Sequence, residues 1–326
     1  MGMSEDANIE HLLHIFTSID TDSESTWDAC AGFIARLRRH KPRLVTLGSN
    51  IEDLPDSHPS KPRCLSRLSE LFSEVGNYVE SSRLLTHVLK LWRDRGDLRQ
   101  VAVTLEWLAS TKSLTGFPAE EMQLATEALK ISEQLGDVLQ QARCLSLVAM
   151  SLLEDNQVDT AEETASRAIA LLPENSKAVT VCRCHHVLGV IYCQKGDREK
   201  AIKHFEVSLG TATSHNLHNE AFLAHYSLAD LFVRERNFEA INAHLEGAKL
   251  HAVNNAGNVA HTVALQGIIF FLQGRYEEAK PEVLRAVEAF EKIGATLDAG
   301  TYRRLYDTME MYEPAASDEP NLNGEC

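Results

Sequence analysis

No stretch of this chain reaches the roughly 18 consecutive apolar residues of a membrane-spanning helix, so none is expected to cross a bilayer. Positive charge is also short: 32 Lys and Arg stand against 47 Asp and Glu, a net of −15 with His neutral. That field repels a polyanion and no basic stripe overrides it, which argues against DNA or RNA as a partner. A well-solvated surface accounts for the acidity, with an acidic groove for basic partners as the other reading. Aromatic residues are only 6%; Leu and Ala carry the apolar load, as in packed helices. Met1–Glu10 has no basic flank ahead of an apolar run, so no secretory signal is read. Asp6 stands where a myristoylation signal following Gly2 wants Ser or Thr. The expected compartment is the cytoplasm.

The seven cysteines, Cys30, Cys64, Cys144, Cys182, Cys184, Cys193 and Cys326, are odd in number, and most sit in apolar helical patterns. That is how reduced thiols behave as small hydrophobes, and it does not suggest a disulfide framework. Signatures of catalysis are missing too. There is no H-E-x-x-H or G-x-S-x-G, and no G-x-x-x-x-G-K-[ST] loop to cradle a nucleotide triphosphate. The 14 histidines, His87, His204, His251 and His261 among them, are scattered and read as surface or groove lining. Cys182, Cys184, His185, His186 and Cys193 form the one tempting metal constellation, with Cys182, His186 and Cys193 near one helix face. Structural zinc sites draw ligand pairs from two elements, and one helix cannot wrap a tetrahedron. Packed or groove-lining side chains are therefore the preferred account, metal the alternative; no cofactor is expected.

What the chain does have is a repeat. Ser69, Ala109, Ala149, Gly189, Ala229 and Gly267 form one column of small residues, and Val88, Ala128, Ala168, Ser208, Ala248 and Ala286 form a second. The period is about 40 residues, the signature of a solenoid. Each unit splits into two helical patterns at a turn: Gly76-Asn77-Tyr78, Gly116-Phe117-Pro118, Asn156-Gln157-Val158, Gly196-Asp197-Arg198, Asn237-Phe238 and Gly274-Arg275-Tyr276. Between units stand Gly96-Asp97, Gly136-Asp137, Pro173-Glu174, Asn216, Gly257-Asn258 and Gly294. Gly and Asn supply the left-handed residue that ends a helix. Leu65, Leu68, Leu71 and Phe72 show the helical spacing inside a unit, as do Leu228, Leu231 and Phe232. The small columns predict helix crossings close enough to exclude larger side chains. Glu121 and Ile241 break the small second-helix position, so their units should pack differently. Pro281 is expected to delay or kink the helix around it.

The expected organisation is a helical segment over 1–45, a proline-rich connector over 46–63 and six repeats over 64–294. A capping helix follows over 295–312, with a disordered acidic tail over 313–326.

The fourth unit, HVLGVIYCQKGDREKAIKHFEVSL from His186 to Leu209, carries Leu188, Gly189, Tyr192, Ala201 and Phe205 in the pattern of the tetratricopeptide repeat (TPR). The chain resembles that family in a lengthened form. The stretches HKPRLVTLG, DLPDSHPSKPRC, ERNFEA and HAVNNAG further resemble basidiomycete TPR proteins and the C-terminal arrays of fungal NACHT/NOD-like receptors. The resemblance implies an all-α, right-handed α-solenoid whose first helices line a concave groove. Its groove positions fall on Arg143, Ser146, Met150 and Glu154; on Arg183, His186, Val190 and Gln194; and on Tyr226, Asp230 and Arg234. A carboxylate clamp for chaperone tails is disfavoured, because Ser66 and Glu70 replace its Lys and Asn. The implied function is a non-enzymatic scaffold or sensor binding a protein or peptide segment. A small-ligand-sensing regulator or an enzyme subunit is the alternative.

Overall fold

Helix ends are set by a recurring dipeptide. Gly96, Gly136 and Gly196 each take positive φ and close a helix, and the next residue, Asp97, Asp137 or Asp197, accepts a backbone N–H of the following one. Those side-chain bonds run at 3.1–3.2 Å, each the N-cap that a helix start favours. Asn77 and Asn255 cap in the same way.

The structure, a computed structural model, describes residues 51–58, 61–74, 77–115, 117–174, 176–252 and 255–311. The segments at 1–45 and 313–326 lie outside them. Thirteen helices and no strand occur among the described residues. They run as six antiparallel pairs: α1 Lys61–Glu74 with α2 Tyr78–Arg95, α3 Leu98–Leu114 with α4 Pro118–Leu135, and α5 Val138–Glu154 with α6 Val158–Ala170. Next come α7 Ala178–Lys195 with α8 Arg198–Ser214, α9 His218–Val233 with α10 Phe238–Ala252, and α11 Ala256–Leu272 with α12 Tyr276–Ile293. The last, α13 Thr296–Met311, packs on α12. The chain is a helical solenoid of TPR-like pairs, and no described helix is long and apolar enough to cross a membrane.

The small columns have the physical cause their spacing implied. A Cβ added to Gly189 would lie 2.4 Å from Cε1 of Phe205, and one on Gly267 would lie 2.7 Å from Val283 and 3.1 Å from the Ala279 carbonyl. Ala109, Ala149 and Ala229 are fully buried at the equivalent crossings.

Several local expectations change. In the fifth unit the left-handed residue is Arg236, not Asn237, whose side chain instead caps α10. Gly257 and Asn258 lie inside α11, which starts earlier because Asn255 caps it. Pro281 does not delay its helix, since α12 begins at Tyr276. The first helix begins at Lys61, with Pro62 in its opening turn, where a missing N–H costs nothing. Lys61 is buried and donates to the carbonyls of Glu52 and Leu54 and to Asp56 Oδ1, at 2.8, 2.6 and 2.7 Å. Ile51, 1% exposed, enters the first core.

Odd-numbered helices from α3 to α11 each pack on the next odd-numbered one, and the even-numbered helices lack comparable contacts. The odd helices therefore form the inner wall of the curve. That curve brings its two ends together. Tyr78, opening α2, is buried in the same cluster as Ala260, Val283 and Phe290 of the last pair. Thr296 donates its hydroxyl to the Thr115 carbonyl at 2.9 Å, and a Cβ on Gly294 would lie 3.0 Å from Val79.

Candidate functional site

The inner wall begins with a buried charge. Glu106, on α3, is fully buried and receives one arginine from each of the next two inner helices. Arg143 of α5 donates to its Oε2 at 2.5 Å, and Arg183 of α7 donates to its Oε1. Arg143 and Arg183 are half-buried, with 23% and 31% of their side chains exposed. Glu106 is shared by the two arginines, and Glu220 lies close enough to Arg183 to bring a second negative charge to this arc.

The next arc is aromatic. His186 of α7 shares a hydrogen bond between Nε2 and Ser227 Oγ at 2.9 Å. Burial holds its imidazole down to about 4, so it is neutral at neutral pH. Tyr226 of α9 reaches past a whole repeat to Tyr302 of α13, hydroxyl to hydroxyl at 2.7 Å. His261 of α11 joins them, with Nδ1 3.2 Å from the Tyr302 hydroxyl. Burial pushes the Tyr226 phenol up to about 12 and His261 down to about 4. Asp298, whose carboxylate lies 3.9 Å from His261 Nε2, is raised to about 6 by the same desolvation. Asp230 is exposed to solvent, yet desolvation raises its pKa in spite of nearby Arg234.

The eleven residues assigned from the sequence thus divide. Arg143 and Arg183 meet at Glu106, and His186, Tyr226 and Asp230 continue the wall. Ser146 is 1% exposed and donates its hydroxyl to the Arg143 carbonyl at 2.7 Å, so it offers no free group. Met150 and Val190 are half-buried against the core of the third and fourth pairs. Glu154 and Gln194 are exposed at their helix ends; Gln194 donates to Asn156 at 3.3 Å. Arg234 is exposed as the C-cap of α9.

Sequence reasoning missed Glu106, Ser227, Asp298 and Tyr302, and it named His261 only among the histidines read as surface or groove lining. The signal for Glu106 was available, because it stands in register with Ser66, Ser146, His186 and Tyr226. A charged side chain inside the apolar run Val101–Leu108 was the second clue. Tyr302 and Asp298 lie on the terminal helix, where the repeat register no longer applies.

The cysteines of the fourth unit are packing residues. Cys182 donates its thiol to the Ser208 carbonyl at 3.4 Å, and Cys184 packs with Ala142, Leu145 and Ala168. Burial raises both thiols to about 11. The histidines are less scattered than the sequence implied. His185 meets His204, His225 meets His244 and His218 meets His251, each pair Nδ1 to Nδ1 at 3.0–3.1 Å.

Residues 184–220 match a tetratricopeptide repeat family model. Among curated proteins none matches the chain. Solved structures share its fold at low identity. A Rap protein complexed with Competence and Sporulation Factor is 13% identical, with a TM-score of 0.63 over 94% of this chain and 92% of that one. Aspartyl phosphate phosphatase F from Bacillus subtilis is 12% identical, with a TM-score of 0.53 over 94% and 89%. The apo quorum sensor NprR from B. thuringiensis is 13% identical, with a TM-score of 0.52 over 94% and 98%.

Proposed function

We propose that this chain is a non-enzymatic, cytoplasmic interaction array that binds a peptide or protein segment along its inner wall. The observation that supports this most is the convergence of Arg143 and Arg183 at Glu106, followed along the same wall by His186 and Tyr226. Aromatics and arginines are the side chains that dominate binding energy at interfaces. The Arg143–Arg183 arc suits an acidic side chain or a terminal carboxylate, since a guanidinium fork donates to both oxygens. Asp230 and Arg234 add a polar rim. The Rap protein above was solved with a bound factor and NprR is a quorum sensor; ligand sensing is thus one use of this fold. The likeness of the sequence to the arrays of fungal NOD-like receptors fits the same role, a sensor region.

A second reading, a small-ligand-sensing regulator, is favoured by one feature. Tyr226, His261, Asp298 and Tyr302 converge as a largely buried polar cluster, the kind of grouped polar side chains a compact ligand needs. Pull-down or proximity labelling with the parent and with Tyr226→Ala/Arg234→Ala tests the first reading. Partner recovery falls while the helical signal stays unchanged; undiminished recovery moves the site off the inner wall. A short peptide or metabolite that raises the melting temperature, with no protein recovered, selects the second.

A further inference from the structure

Four imidazoles line up between α9 and α10. His218 and His251 face each other with Nδ1 atoms 3.0 Å apart, and His225 and His244 do so at 3.1 Å. The two pairs are joined by His225 and His251, whose rings stack at 6.0 Å with an interplanar angle of 17°. Packing fixes these rings. His244 stacks on Phe232 at 5.7 Å, and the His225 ring lies over Gly247, where a Cβ would come within 2.5 Å of it.

We propose that this row binds a first-row transition-metal dication, Cu2+ best of all, through the paired Nδ1 atoms of His218 with His251 and of His225 with His244. The spacing carries the argument. Two imidazole nitrogens about 2.0–2.1 Å from one ion lie about 2.9 Å apart at a right angle and about 3.4 Å apart in a tetrahedron. The observed pairs sit nearer the right-angled value, the tetragonal arrangement that Cu2+ prefers with nitrogen donors. In the empty pair one ring donates an Nδ1 proton to the other. On binding, that ring moves its proton to Nε2 and both lone pairs turn to the ion, with no change in charge.

Among the described residues no three His, Cys, Asp or Glu side chains converge on one ion, so water completes each coordination sphere. Geometry separates this row from the third pair: His204, the partner of His185, stacks on Tyr192 at 5.5 Å, whereas His225 stacks on a ring of the neighbouring imidazole pair.

The test uses the full chain without a polyhistidine tag, titrated with Cu2+ and followed by calorimetry and electron paramagnetic resonance. Two equivalents bind with Kd of about 10 μM or tighter and show nitrogen hyperfine structure. His218→Gln/His251→Gln removes one equivalent and His225→Gln/His244→Gln the other, with circular dichroism confirming that each variant is folded. His218 is exposed, so His218→Gln alone tests the outer pair without disturbing the core. Parent binding weaker than about 100 μM, or unchanged stoichiometry in the folded His218→Gln variant, overturns the proposal.

Discussion

Glu106 holds two arginines from two later repeats: Arg143 at 2.5 Å, and Arg183 from 77 residues further along the chain. The carboxylate is fully buried while both arginine side chains stay partly exposed. The three side chains tie the second, third and fourth helix pairs together from the inside.

Glu106→Gln keeps the shape and removes the charge. Breaking one partner of a buried ion pair typically costs about 3–5 kcal/mol. Partial hydration of both arginines brings the expected loss to about 2–3 kcal/mol, read by urea denaturation. A loss below about 0.5 kcal/mol would mean that water already satisfies the arginines.

Gly189→Ala puts a methyl group into the Phe205 ring. Overpacking of this kind costs about 1–3 kcal/mol. Phe205→Leu in the same chain opens space and should recover part of the loss, a coupling that a double-mutant cycle measures. Simple additivity of the two changes would show that the crossing is not the point of conflict.

The small columns could be read from the sequence because a close helix crossing admits nothing larger than Ala or Ser, and that restriction recurs with the repeat. The inner wall was legible in part. Register placed Arg183, His186 and Tyr226, and the same register passes through Glu106, which went unused. The Tyr226–Tyr302 bond was out of reach, because it depends on how far the curve turns over several pairs. Each pair contributes a small rotation that no local pattern records. Arg236 shows the same limit on a small scale: Asn237 looked like the left-handed residue, and the cap it makes instead pushes that conformation one position back.

Glu121, at a position the repeat usually gives to a small residue, is 1% exposed, and its Oε2 has no hydrogen-bond partner. Burial, helped by the charge of Glu154, raises its pKa to about 7. The folded protein thus holds this proton more tightly than the unfolded chain, whose value is near 4.5. Its contribution to stability is full below pH 4.5 and is lost as pH rises through about 7. Glu121→Gln should flatten that part of the pH profile and stabilise the protein at pH 8 by on the order of 2 kcal/mol. Urea melts at pH 5 and pH 8 give the comparison, and a variant no more stable than the parent at pH 8 would contradict it.

Tyr78→Ala removes a side chain of the first pair from the core of the last one. Truncating a buried aromatic costs about 3–5 kcal/mol. Hydrogen exchange should therefore speed up over Ala256–Met311, far from the substitution in sequence. Acceleration confined to the first pair would show that the two ends are independent.

That meeting of ends changes how the array is held together. An open stack of repeats loses its outermost unit first, because that unit has only one neighbour. Here Thr296 on Thr115, Tyr78 among the last pair and Val79 against Gly294 give the terminal pairs a second neighbour each. There is no edge among the described pairs from which fraying can begin at low cost. Unfolding must first part the seam, so the resistance of every pair to local opening is set by contacts between residues far apart in the chain.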